Sequence, residues 1–124
     1  MKYLYPTLII VLCLAAQPAL SLSAQEQIDK GYAYCDNLRS LAATVMKSRQ
    51  SGQSKALTAF TVKGMGSDAE SLVDFAYDYP VKDTPQEKDF AVNNFSDAAR
   101  EGCRKSVLKK IKQARAKQGV NRHE

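Results

Sequence analysis

The 124 residues carry 18 Lys and Arg against 13 Asp and Glu, a net charge of +5, with 44% apolar residues and no Trp. A chain of this size has room for one domain. Its single histidine, His123, stands next to last, so no Ser-His-Asp triad, Cys-His pair or histidine-based zinc set can be assembled at a rigid site, and neither metal nor cofactor is expected. The basic character is local: residues 25–99 hold 8 Lys and Arg against 11 Asp and Glu, whereas residues 100–124 hold 9 against 2.

Taken in order, residues 1–24 have the layout of a secretory signal peptide. Lys2 precedes an apolar run from Leu8 to Ala16, and Gln17-Pro18 and small residues follow, with cleavage expected between Ser21 and Ala24. The run is shorter than the roughly 20 apolar residues of a membrane span. Cys13 departs with this leader, leaving Cys35 and Cys103 in a compartment where thiols oxidise. Neither lies in a C-x-x-C motif, and a structural disulfide is expected ahead of a redox pair or an intermolecular bridge.

Residues 28–52 read as one long helix. Ile28, Gly31 and Tyr32, Cys35, Leu38, Leu41 and Ala42, and Val45 and Met46 fall at three-four spacing, the mark of a buried stripe. The helix should start near Gln25 or Glu26, with a serine cap, and end at Ser51 before Gly52. A short second helix is expected from Ser54, laying Leu57 and Phe60 on the core, although Thr58 to Val62 also has strand character. Gly64-Met65-Gly66 breaks the chain, and Ser67 with Glu70 reads as a capping box. The third helix should run to about Tyr79 before Pro80, burying Leu72, Val73, Ala76 and Tyr77 or Tyr79. Thr84-Pro85-Gln86-Glu87 is the clearest start of all: threonine cap, proline at the first position, glutamate at the third. The last helix should extend for about 30 residues, with Phe90 or Ala91, Phe95, Ala98 or Ala99, Gly102 or Cys103, Val107 and Ile111 inward. Residues 112–124 read as a basic tail that frays or projects. The expectation is an all-α domain over residues 25–111, a small bundle of about four helices clasped by one disulfide.

Three features invite a chemical reading. Glu70, Asp74 and Asp78 recur every four residues, which fits a solvated helix face better than a calcium loop. Gly64-Met65-Gly66 precedes a helix start but follows no strand, so a turn explains it better than an anion cradle. Arg100, Arg104, Lys105, Lys109 and Lys112 occupy adjacent ridges of the last helix and form the candidate surface for an anion or an acidic partner. The plainer alternative is that they pair with the Glu70, Asp74 and Asp78 stripe or solubilise the chain's end.

The pattern Tyr34-Cys35, Ala42, Met46, Arg49-Gln50-Ser51-Gly52, Ala76-Tyr77 with Pro80, then Phe95 and Cys103, resembles a group of small secreted helical proteins of bacteria and their phages. They share an early Cys, an Arg-Gln-x-Gly helix end, an Ala-Tyr-x-x-Pro element and a late Cys. The resemblance implies export and a Cys35 to Cys103 disulfide; it transfers no activity, and the basic stretch after Cys103 is longer here than the pattern requires.

Three function classes follow. The first is a non-enzymatic exported interaction protein, an inhibitor or immunity-like module, acting on a protein partner in the cell envelope or outside. The second resembles the small periplasmic acid-stress chaperones, with the 11 acids of residues 25–99 as titrating groups, although the surroundings of the cysteines depart from theirs. An anionic envelope surface held by the basic helix is a further alternative, whereas nucleic acid and small-molecule substrates are not expected. An enzyme ranks last for want of a catalytic constellation.

Overall fold

The computed structural model describes residues 23–120, and the expected leader therefore lies outside the described residues except for Ser23 and Ala24. Four helices make up the fold: α1 (Ala24–Gln50), α2 (Lys55–Val62), α3 (Ser67–Tyr77) and α4 (Pro85–Val120). No strand occurs among the described residues. The protein is all-α, a small helical bundle with a disulfide between its two long helices.

Local chemistry sets most of the boundaries. Ser23 accepts from the Glu26 amide at the start of α1, and Ser54 accepts from Leu57 at the start of α2. Thr84 and Glu87 close a reciprocal capping box at the start of α4: the Glu87 amide donates to the threonine hydroxyl, and the Thr84 amide donates to the glutamate. At the end of α1, Gly52 takes φ +83°, and the amides of Gly52 and Gln53 donate back to the carbonyls of Arg49 and Ser48. That double bond closes the helix and needs a residue tolerant of the left-handed region. The third start differs from expectation: Gly66 occupies the cap position, Ser67 is already helical, and no side chain caps α3.

The core forms where α1, α3 and the first half of α4 meet. Ala42, Val45 and Met46 of α1 pack with Ala69, Leu72, Val73 and Ala76 of α3, Val92 and Phe95 of α4, and Val62 of α2. One expectation fails here. Leu57 and Phe60 are 51% and 71% exposed, and α2 instead buries Thr58 and Val62, one turn apart. The reason is polar: the Tyr77 hydroxyl lies 2.7 Å from Thr58 Oγ1 and donates to the Gln53 carbonyl at 2.7 Å, which turns the Thr58 face of α2 inward. On α4, of the alternatives Phe90 and Ala91 it is Ala91 that is buried, with Val92 and Ser96, while Phe90 is exposed.

The connection from α3 to α4 is held by the last turn of α1. Arg49 donates through Nε to the Tyr79 carbonyl at 2.9 Å, with its guanidinium 5.1 Å over the Tyr77 ring. Gln50, only 3% exposed, donates to the Pro80 carbonyl at 3.0 Å and accepts from the Lys82 amide at 2.8 Å. The Arg-Gln helix end and the Ala-Tyr-x-x-Pro element are thus two halves of one contact.

α4 lies antiparallel along α1. Cys103 faces Cys35 with Cα atoms 5.5 Å apart. One turn further out, Gly31 faces Val107, and a Cβ at Gly31 would overlap the Cγ1 methyl of that valine. Gly31→Ala is therefore expected to destabilise by about 1 kcal/mol, overpacking outweighing the helix propensity gained. In a Val107→Ala background the same substitution should cost less, and a double-mutant cycle by urea unfolding measures the coupling. α4 continues past Ile111 to Val120, with residues 112–119 exposed, so this part of the expected tail projects as helix. No helix among the described residues is long and apolar enough to cross a membrane.

Candidate functional site

The five basic residues singled out on α4 divide into two groups. Arg104 turns toward α1, where its Nη2 donates to Asp36 at 3.3 Å and its guanidinium lies 4.8 Å over the Tyr32 ring. Arg100 lies 3.8 Å from Asp97, which also accepts from Arg39 of α1 at 2.8 Å. The Nε atoms of Arg100 and Arg104 are buried. These two arginines therefore belong to the α1–α4 seam. Lys105, Lys109 and Lys112 are exposed and make no ion pair among the described residues. The acidic stripe of α3 does not meet them: Asp74 pairs with Lys55 of α2 at 3.0 Å, an exposed contact that contributes little.

The inner side of α4, with Lys110, borders a feature that the sequence did not announce. α3 and α4 each pack on α1 but scarcely on one another. Between them runs a mainly apolar groove of about 540 Å³. Leu38 of α1, Leu72 of α3 and Cys103 of α4 line it, together with Phe75 and the small residues Ala98, Gly102 and Ser106. Tyr79 and Phe95 meet edge to face at one end, ring centroids 5.6 Å apart. At the other end Tyr34 of α1 donates its hydroxyl to Asp68 of α3 at 2.6 Å, and Val107 and Lys110 of α4 complete the lining.

The same hydrogen bond perturbs Tyr34. Donation to Asp68 is the main cause, partial desolvation and the carboxylate's charge add to it, and all three raise the phenol above its ordinary value of 10.0. The raised group favours the fold while neutral. Its contribution is complete below pH 10 and is lost as pH rises through the folded-state pKa. Tyr34→Phe is expected to cost about 0.5–1 kcal/mol at pH 7, and the difference from the parent should shrink above pH 10. Urea midpoints at neutral and alkaline pH check this.

Sequence reasoning missed Phe75, Gly102 and Gln50. Phe75 lies off the buried stripe of α3 yet is large and apolar, with 61% of its surface exposed. Gly102 lies within the continuous α4, and a Cβ there would meet nothing within 4 Å, because it faces open space. Gln50 follows Met46 by one turn at the end of a buried stripe, a placement that asks for polar partners. Among the described residues, no group of three or more His, Cys, Asp or Glu is placed to hold a metal ion. The chain matches no known family, no curated protein and no solved structure.

Proposed function

We propose that this protein is an exported, non-enzymatic interaction module, periplasmic or secreted, that captures a protein partner in the groove between α3 and α4. The groove carries the reading. Its volume of about 540 Å³ is in the range of binding clefts, its lining is mainly apolar, and the exposed rings of Phe75, Tyr34 and Tyr79 border it. Aromatic side chains around an apolar depression are the usual anchors of protein recognition. Export is supported by the leader-like layout of residues 1–24, the resemblance to small secreted helical proteins, and a disulfide suited to an oxidising compartment.

The test is photo-crosslinking in exporting cells, with a benzophenone amino acid replacing Phe75 at the groove or Phe60 on α2, which does not line it. One adduct of defined mass from the Phe75 position, absent from the Phe60 position, is expected. Equal labelling from both, together with a rise in hydrophobic-dye binding at acid pH, would overturn this reading in favour of an acid-stress chaperone.

A further inference from the structure

We propose that the groove's occupant is an acidic amphipathic helix of the partner protein, a proposal that rests on the groove reading above. Two observations carry it, one of shape and one of charge.

The groove lies between two helices on a third, with α3 its shorter wall. Eleven residues of α3 span about 16 Å, enough to flank three turns of an added helix. On the opposite wall, Ala98, Gly102 and Ser106 expose small side chains, and the space over Gly102 is empty. The distance between packed helices is set by the side chains at their contact, so this wall admits a close neighbour. No sheet edge among the described residues offers pairing to an extended strand, which leaves a helix as the secondary structure that satisfies its own backbone in an apolar groove.

The charge lies on the same ridge. Ala98, Gly102, Ser106 and Lys110 line the groove at intervals of four residues, one ridge of the helix, and Lys117 follows Lys110 two turns later on the same face. This face begins as a groove wall and continues with exposed cations. Residues 105–119 hold six Lys and Arg and no acid. Lys110 and Lys117 have no intrachain ion pair among the described residues, in contrast to Arg100 and Arg104. An occupant lying along α4 meets small and apolar groups first, then Lys110 in the lining and Lys117 beyond it. Its complement is a helix with apolar residues at three-four spacing, followed by Asp or Glu one to two turns further along.

The probe is a labelled 16-residue amphipathic peptide with leucines on one face and glutamates in two terminal turns, compared with an otherwise identical lysine version and with vesicles of phosphatidylglycerol. Binding to the oxidised exported protein is read by fluorescence anisotropy, and folding of each variant by circular dichroism. The glutamate peptide is expected to bind at least about tenfold more tightly than the lysine peptide. The combined Lys110→Ala and Lys117→Ala variant should lose that preference, and Gly102→Trp should abolish binding of both peptides. If Gly102→Trp abolishes binding but the two peptides bind equally, the groove reading stands and the acidic partner is overturned. If neither peptide responds to Gly102→Trp, both readings are overturned, as they are if the protein binds the vesicles more tightly than the peptide whether or not the groove is filled.

Discussion

Replacing Cys35 and Cys103 together by alanine is expected to lower stability by about 4 kcal/mol, chiefly through the unfolded state. The bond joins positions 68 residues apart, and without it the unfolded chain recovers the entropy of that open loop. For a domain of roughly 100 residues, such a loss lowers the melting temperature by about 15–30 °C. The position matters as well as the loop length. Cys35 is fully buried on α1, and the bond fixes the α1–α4 pairing just where the continuous core gives way to the outer half of α4. Thermal melts of the oxidised protein, the reduced protein and the double variant measure the effect. A double variant within about 1 kcal/mol of the parent would show that helix packing alone fixes the assembly.

Gln50→Ala is expected to cost about 3 kcal/mol, a large effect for a residue at a helix end. The substitution leaves the Pro80 carbonyl and the Lys82 amide without their partner and removes a side chain packed against Met46 Sδ at 3.5 Å. Gln50→Glu separates the two bonds. The carboxylate retains an acceptor for the Lys82 amide but opposes the Pro80 carbonyl, so its pKa should be raised in the fold. The variant should then be less stable at pH 7 than at pH 4 relative to the parent, since protonation restores a donor. Equal costs at the two pH values would show that the Pro80 contact contributes nothing.

Much of this architecture was legible because its signals are local. Thr84 with Glu87 and Ser54 before α2 act within one turn, and the structure places both as the sequence suggests. The buried stripe of α1 was legible for a related reason: Cys35, Ala42, Val45 and Met46 recur at the helical period. Tertiary bonds decided what local signals did not. The orientation of α2 follows from Tyr77, whose hydroxyl reaches Thr58 and the Gln53 carbonyl, so Leu57 and Phe60 remain outside despite their hydrophobicity. At α3, Gly66 displaced Ser67 from the cap position.

The candidate site divides in the same way. A helical wheel groups Arg100 and Arg104 with Lys105, Lys109 and Lys112 as one basic surface. Asp97 reaches Arg100 from within α4, and only the position of α1 shows that Asp36 and Tyr32 occupy Arg104 while Lys105, Lys109 and Lys112 make no ion pair among the described residues. The groove was illegible for a stronger reason. It exists because α3 and α4 both pack on α1 and scarcely on each other, and no periodicity within one helix encodes that arrangement. The Arg49-Gln50 pair lies between these extremes. Its place beside Gly52 suggested helix punctuation, whereas its contacts with Tyr77, Tyr79, Pro80 and Lys82 hold the entrance to α4.

The most direct test of the groove is the emission spectrum of the Gly102→Trp variant, because the parent chain has no tryptophan. Gly102 lines the groove with open space above it, so the introduced indole should lie against apolar neighbours without unfolding the protein. A folded variant whose emission is blue-shifted, and which moves to the red when urea unfolds it, is the predicted result. Emission identical in the folded and unfolded states would place position 102 in open solvent and contradict an apolar groove between α3 and α4.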